Sequence, residues 1–265
     1  MNHTIKVLGI VTLLAPFSNT VIAAPIDLST WSALTLDFTG GQSAGNWDLS
    51  AGNTTVTQTV NADPSFYLNN INQTDYSIDG SWEVTQTNDN DYMGFVFGYQ
   101  NSSNFYLFDW KQGSQDYYGS VGNEGMAVKK YTGGTGSGLT DLSLGEFWEN
   151  ESDKGDMEIL ATNQSSSAGW ADNTSYNFHM DFNTIANEFT IMVTQGATTL
   201  WDVTVADSTF TSGQFGFYNF SQANVEYSGF EQEGGTEVEV SAPATLALLG
   251  LSLAALGATR RKAKV

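Results

Sequence analysis

One stretch, Asp89–Gln112, limits most strongly what this chain can fold into. It reads DNDYMGFVFGYQNSSNFYLFDWKQ. Two runs rich in aromatic and β-branched residues, Tyr92–Tyr99 and Phe105–Lys111, flank the polar residues Gln100–Asn104, a pattern typical of a β-hairpin. Neither predicted strand has a face made only of solvent-exposed polar side chains. We therefore expect the hairpin to lie in the middle of a sheet.

Alternation assigns side chains of the hairpin to faces, because successive residues of a strand point to opposite sides. Phe95, Phe97 and Tyr99 are predicted on one face of the first strand. On the second strand, Tyr106, Phe108 and Trp110 are predicted on one face, and Leu107, Asp109 and Lys111 are predicted on the other. The predicted core of the domain consists of Phe95, Phe97, Phe108, Trp110, Phe178, Phe215 and Phe217.

Other strand-like segments occur along the chain, and from Ser175 onward they recur at roughly ten-residue spacing, as in sandwiches and barrels. They are Leu34–Phe38, Thr54–Val60, Tyr76–Thr85, Met126–Tyr131, Ser175–Phe182, Phe189–Thr194, Leu200–Val205, Gly213–Phe220 and Val225–Phe230. No convincing helical period interrupts them. The sequence thus predicts an all-β, jelly-roll β-sandwich over residues 24–231, flanked by an N-terminal signal helix and a C-terminal hydrophobic helix.

The two ends of the chain have targeting patterns. Residues 1–23 are predicted to be a secretory signal peptide, since Lys6 precedes the apolar run Val7–Pro16 and a small residue, Ala23, ends the segment. Residues 232–241 are predicted to be an acidic linker. Residues 242–265 are predicted to be a hydrophobic sorting or anchor tail.

The tail consists of the apolar run Ala242–Ala258 and a basic end from Arg260 to Lys264. Basic residues after a short apolar segment favour the cytoplasmic side of a membrane. The pattern resembles bacterial PEP-CTERM sorting tails, with Ser241–Pro243 in place of the usual Pro-Glu-Pro. The resemblance implies transient membrane insertion and removal by an exosortase-type enzyme. The alternative is a permanent membrane anchor.

Charge is unevenly distributed along the chain. All 29 acidic residues lie between Asp27 and Glu239, where there are four lysines, so this body has a net charge of −25. Such a body repels nucleic acid and attracts cations. The alternative is that the negative charge serves only to keep the protein soluble. The chain has no cysteine and only two histidines, which excludes thiolate and multi-histidine metal sites.

Candidate catalytic groups are few. Asp156 and Glu158 could form a glycosidase pair if both lay on one strand face. We instead predict a solvated acidic loop and an edge strand over Leu144–Leu160. His179 is predicted to be an ordinary surface residue beside Asp181. The sequence therefore predicts that the protein is not an enzyme, with a carbohydrate-active hydrolase on the same fold as the alternative.

Four ordered motifs carry a resemblance to a known family. The central stretch resembles the thrombospondin C-terminal domain, in which an Asp cluster precedes a YxGFVFGYQ strand and a strand that ends in WKQ. The segments Gln58–Pro64, Gly169–Phe178 and Gly213–Phe230 resemble further motifs of that family in the same order. The chain departs from the family at Ala62, where a Cys is common.

That resemblance implies a secreted, Ca²⁺-binding adhesion or extracellular-matrix module with a lectin-like fold. Its partners would be cell-surface or matrix glycans or proteins, and a structural role in an exopolysaccharide matrix is a further alternative. The candidate calcium ligands are Asp89, Asn90 and Asp91. Calcium takes six to eight oxygen ligands, so other loops must supply the rest.

Overall fold

The computed structural model describes residues 25–134 and 141–238. Two antiparallel seven-stranded sheets form the body of the domain. From edge to edge, sheet 1 contains β1 (Ser32–Thr35), β4 (Ser65–Leu68), β15 (Gln214–Phe220), β6 (Tyr92–Asn101), β7 (Asn104–Lys111), β10 (Gly125–Thr132) and β11 (Met157–Gln164). Sheet 2 contains β14 (Thr198–Ala206), β13 (Glu188–Gln195), β12 (Ser175–Asn183), β5 (Gln73–Val84), β16 (Val225–Glu237), β3 (Thr55–Gln58) and β2 (Trp47–Leu49).

Three short elements complete the described part of the chain. A small hairpin outside the two sheets pairs β8 (Gln115–Tyr117) with β9 (Ser120–Gly122). A 3-10 helix spans Leu28–Thr30, and one α-helix, α1, spans Leu144–Trp148. The predicted all-β sandwich is confirmed. The described residues contain no helix that is long and apolar enough to cross a membrane, and the predicted segments 1–23 and 242–265 lie outside them.

The predicted hairpin is confirmed at the centre of sheet 1, where β6 lies between β15 and β7. Its connection is shorter than predicted, because the strands continue to Asn101 and restart at Asn104. A bulge between Phe97 and Asn101 interrupts the register. Gly98 lies in this bulge with φ 56°, a left-handed conformation that favours glycine.

The bulge corrects one predicted face. Phe95 and Phe97 lie between the two sheets, as expected, but Tyr99 belongs to the cluster on the outer side of sheet 1. Against β15, strand β6 advances three residues from Val96 to Tyr99 while β15 advances two, so the alternation changes and Tyr99 points to the opposite face.

The core between the sheets is mainly aromatic. Phe95 of sheet 1 lies 5.0 Å from Phe178 of sheet 2 between ring centroids, and Trp82 stacks on Phe178 at 4.8 Å. All seven residues predicted for the core are at most 2% exposed: Phe95, Phe97, Phe108, Trp110, Phe178, Phe215 and Phe217. Burial of so much apolar area accounts for the packing of the two sheets without disulfides.

The outer face of sheet 1 is also buried. Helix α1 and the segments beside it cover this face, where Phe147 stacks on Tyr131 and Phe105. The prediction that neither face of the hairpin is solvated is therefore confirmed, and the reason is a second hydrophobic layer outside the sandwich.

Helix α1 corrects the prediction of a solvated acidic loop in this region. Ser143 and Glu146 form a capping box that satisfies the first backbone N–H groups of the helix. Glu146 and Glu149 are 7% and 5% exposed, so both carboxylates are buried. The second half of the prediction holds, because β11 is an edge strand of sheet 1.

The boundary of the sandwich also differs from the prediction. Strand β16 continues to Glu237, and its last residues pair with β5 through Thr236↔Thr74 and Glu237↔Gln73. Residues 232–237, predicted as linker, are thus part of sheet 2. The acidic side chains there are compatible with a strand because one face of this sheet is in contact with solvent.

Candidate functional site

The predicted metal ligands lie on the loop that enters β6, at one end of sheet 1. The loop is fixed to the end of β7, where the backbone N–H of Gln112 donates to the Asn90 carbonyl at 3.2 Å. The antiparallel register pairs Tyr92 with Lys111, so the residue before Tyr92 lies beside the end of the second strand. The hairpin itself therefore places Asp91 near Lys111.

Asp91 points inward rather than to solvent. It is 6% exposed, and one carboxylate oxygen lies 2.6 Å from the Lys111 ammonium. Its backbone N–H donates to the side-chain oxygen of Gln222 at 2.9 Å. Burial lowers the pKa of Lys111, and the Asp91 carboxylate opposes that shift. The Asp91 carboxylate is consequently already paired with a cation of the protein itself, the Lys111 ammonium.

Asp89 is half-buried and lies at the surface side of the same loop. Its carboxylate accepts hydrogen bonds from the Asn61 side chain at 2.5 Å and from the Asn90 backbone at 3.0 Å. Burial raises the pKa of Asp89, and the negative charge of Asp91 raises it further. A bound cation would relieve both effects, since it would stabilise the charged form of the carboxylate.

A shallow depression of about 290 Å³ opens beside Asp89. All of its lining residues carry side-chain oxygens: Thr87, Asn88, Asp89, Asn90 and Gln112. Carboxylate, amide and carbonyl oxygens are the ligands that hard cations such as Ca²⁺ prefer. No cluster of three or more acidic or histidine side chains suited to a metal ion occurs within the described ranges. The donor type thus fits calcium, with Asp89 as the one charged ligand that lines the depression.

A second ion pair lies deeper in the same outer layer. The Lys129 ammonium is 2.6 Å from a carboxylate oxygen of Asp109, and both side chains are 0% exposed. Lys129 also donates to the Phe147 carbonyl at 3.0 Å, near the end of α1. Burial raises the pKa of Asp109 and lowers that of Lys129, each against the attraction of its partner. Sequence alternation placed Asp109 on the outer face, but no sequence signal indicated that α1 covers it.

All four lysines of the acidic body make polar contacts. Lys111 and Lys129 are in the buried ion pairs, and Lys130 lies 2.8 Å from both Glu158 and Asp207. Lys154 donates to the Gly119 carbonyl at 2.9 Å. The surface of the domain is therefore dominated by carboxylates, and it attracts cations and repels polyanions.

The residues considered for hydrolase chemistry do not form a pair on one strand. Asp156 precedes β11, and its backbone N–H donates a hydrogen bond to the Glu146 carboxylate at 2.7 Å. Glu158 is in an ion pair with Lys130. His179 lies 2.9 Å from Asp79 on the outer face of sheet 2. The strand-face geometry that motivated the hydrolase alternative is thus missing.

The fold and the acidic loop together define a class of protein, an all-β sandwich with a polar surface site. The family model of the thrombospondin C-terminal region matches residues 42–234. The chain belongs to this family. The four motifs that indicated the resemblance all lie inside the matched range.

Individual thrombospondins are similar over the same region. Chicken thrombospondin-2 is 29% identical over 194 residues, which are 71% of this chain and 16% of the relative. Human thrombospondin-2 is 30% identical over 196 residues, again 71% of this chain and 16% of the relative. The chain thus spans about a sixth of the length of these relatives.

Among solved structures, a carbohydrate-binding module, CBM66 from Bacillus subtilis, is similar with a TM-score of 0.49. It is 15% identical, and the match covers 77% of this chain and 96% of the module.

Proposed function

We propose that this domain is a secreted, non-catalytic binding module that takes up calcium at the loop before β6. Asp89 and Asn90 would supply side-chain oxygens to the ion, together with neighbouring amide or carbonyl oxygens. In this role calcium would fix the loop at the end of sheet 1, and the module would bind matrix or cell-surface glycans or proteins. The observation that carries the proposal is the half-buried Asp89 carboxylate beside Asp91, in a depression lined only by oxygen-bearing side chains.

Membership of the thrombospondin C-terminal family supports the assignment to binding rather than catalysis. The charge of the body supports a cation as the first ligand. The four lysines are engaged by other groups, so the acidic surface has few internal counter-ions to compete with a metal ion.

The expected calcium affinity of the site depends on Lys111. Because its ammonium already neutralises Asp91, the ion would gain one full carboxylate rather than two. Calcium affinity falls as the number of charged ligands decreases, and extracellular modules bind with dissociation constants of about 10⁻⁴–10⁻³ M. We therefore expect a millimolar-range site, which matches an extracellular setting.

Calcium is expected to raise the melting temperature of the protein. At ten times the dissociation constant, binding to the folded state stabilises it by about 1.4 kcal/mol, which corresponds to about 3–6 °C for a domain of this size. Calorimetry with 0–10 mM calcium checks both the heat of binding and the shift. Asp89→Asn should abolish both, because it removes the one carboxylate that lines the depression.

The matched control is Asp181→Asn, an aspartate on the outer face of sheet 2, which should leave the calcium response unchanged. Affinity should also fall as the pH is lowered, because a proton competes with calcium for Asp89. Since the pKa of Asp89 is raised, this loss should begin at a higher pH than for an ordinary aspartate. An unchanged melting temperature and no heat at 10 mM calcium would disprove the calcium site.

Secretion is part of the proposal and rests on segments outside the described residues. Residues 1–23 would direct export, and residues 242–265 would hold the chain in the membrane for a time. The leucine-rich run in that tail has no place in a β-sandwich and would be covered by lipid. A processing enzyme of the exosortase type could then cut near Ser241–Pro243 and release the body.

Intact-mass analysis of the protein from its native host tests the sorting tail. The expected mature chain ends near Ser241–Pro243 and begins after the signal peptide. A mature chain that still contains Val265 would contradict processing and would favour a permanent anchor.

A further inference from the structure

The small hairpin β8–β9 carries the most exposed aromatic surface of the described residues. Tyr117 and Tyr118 at its tip are 46% and 38% exposed, and every other described aromatic side chain is buried or half-buried. Their ring centroids lie 3.9 Å apart with 65° between the planes. Among the described residues, these two adjacent tyrosines are thus the aromatic side chains most in contact with solvent.

The hairpin tip is also strained. Tyr118 and Gly119 have φ angles of 52° and 69°, so both central residues of the two-residue turn are left-handed. Asn, Asp or Gly normally occupies such positions, and a bulky side chain there is an outlier. Strain of this kind persists where the surrounding structure enforces it and is common at ligand sites.

Several hydrogen bonds hold the strained tip on helix α1 and the segment after it. Lys154 donates to the Gly119 carbonyl at 2.9 Å, and the Ser120 hydroxyl donates to the Gly145 carbonyl at 2.6 Å. The Trp148 indole N–H donates to the Gln115 carbonyl at 2.8 Å. The tyrosines are therefore presented on a fixed support rather than on a free loop.

Trp148 forms the base of this support. It is 1% exposed, and its ring centroid lies 5.3 Å from that of Tyr117 and 6.3 Å from that of Tyr118. On the same indole, the Lys111 ammonium lies 4.4 Å from the ring centroid. Trp148 thus connects the Asp91–Lys111 pair, beside the proposed calcium loop, with the exposed tyrosines.

An open depression of about 430 Å³ lies beside Tyr118. Its walls combine apolar groups, such as Phe38 and Leu144, with the polar groups of Thr39 and Lys154. Mixed aromatic and hydrogen-bonding walls suit a ligand that has an apolar face and a polar rim. The pKa of Tyr118 is raised to about 12, first by its partial burial and then by the adjacent Tyr117 hydroxyl and the charges of Asp63 and Asp91.

We infer that Tyr117 and Tyr118, with the depression beside them, form a binding site for neutral hexopyranose glycans. The apolar C–H face of a pyranose ring would stack on the tyrosine rings, and its hydroxyl groups would bind the polar wall. The net charge of −25 on the body disfavours sulfated and sialylated chains relative to neutral ones, although the one charged group in the wall of the depression is the Lys154 ammonium. This inference rests on the proposed function, because it names the ligand class and the surface of the binding module.

The test uses the whole protein on an array of neutral, sulfated and sialylated oligosaccharides in 5 mM calcium, on the order of an extracellular concentration. The wild type is expected to bind neutral hexose-containing glycans. Tyr117→Ala and Tyr118→Asn should weaken that binding by about tenfold or more, as for anchors at other interfaces. Tyr117→Phe should retain it, because the ring is kept.

Tyr118→Asn separates binding from folding. Asn tolerates the left-handed backbone, so this variant should melt at the wild-type temperature or higher while it loses the glycan. The matched surface control is Ile185→Ala at the turn between β12 and β13, where the side chain is 84% exposed. It should leave glycan binding unchanged.

Four outcomes would overturn the site: no neutral glycan bound by the wild type, binding of anionic glycans only, binding unchanged in Tyr117→Ala and Tyr118→Asn, or self-association that these substitutions abolish. The last result would assign the tyrosines to a second copy of the chain. Calcium calorimetry on the same preparations distinguishes the two proposals, since a normal calcium response without glycan binding defeats only the tyrosine site.

Discussion

Lys129→Met is expected to destabilise the domain by about 3–5 kcal/mol, because it leaves the buried Asp109 carboxylate without a counter-ion. Asp109 is 0% exposed, and the Lys129 ammonium is the only cation within salt-bridge distance of it among the described residues. The substitution also removes the donor to the Phe147 carbonyl, which adds to the loss. Urea denaturation followed by circular dichroism measures the change in the free energy of unfolding.

The control for this prediction is the double variant Lys129→Met, Asp109→Leu. It removes both charges, so it should recover most of the stability lost in the single variant. The loss in Lys129→Met should also shrink as the pH falls. The pKa of Asp109 is raised in the folded state, and removal of the Lys129 charge removes one of the effects that lower it. As the pH falls, the folded variant binds a proton at Asp109 before the unfolded chain does, which neutralises the buried carboxylate and recovers stability; as the pH rises, that stability is lost. A single-variant loss below about 1 kcal/mol would show that the pair is not coupled to stability.

Phe95→Ala is expected to cost about 3–5 kcal/mol, the range for a large aromatic removed from a packed core. Phe95 is 0% exposed. Its ring lies within 6.2 Å, between centroids, of rings from both sheets: Trp82, Phe97, Phe108, Phe178 and Phe215. The cavity left by the substitution would lie between the two sheets, so a shift of one sheet alone could not fill it.

Two controls accompany this measurement. Phe95→Leu keeps most of the volume and should cost clearly less than the alanine variant. Ile185→Ala, on an exposed turn, should change the free energy of unfolding by no more than about 0.5 kcal/mol. If Phe95→Ala behaved like the surface control, the central position of the hairpin in the core would be wrong.

The candidate site was only partly predictable from sequence. The Asp cluster at a strand entrance identified Asp89, Asn90 and Asp91 as one loop, and the structure places Asp89 and Asn90 in the same polar depression. Asp91 differs because Lys111, twenty residues further along, comes to lie beside it. The hairpin register brings them together. Between Phe97 and Asn101, β6 advances four residues while β7 advances two, from Tyr106 to Asn104, so the register is hard to derive from the length of the loop.

The sequence by itself determined the central hairpin, most of the longer strands and the inward faces of the seven core residues, because alternation of apolar side chains is a local property of a strand. The short strands β2, β4, β8 and β9 were not predicted. Tertiary structure decided what covers the outer face of sheet 1. Helix α1 has only five residues, too few for a helical period to be visible, yet it buries Glu146, Asp109 and Lys129. It also places Trp148 beneath Tyr117 and Tyr118, so the exposed tyrosine pair depends on contacts between segments about 30 residues apart along the chain.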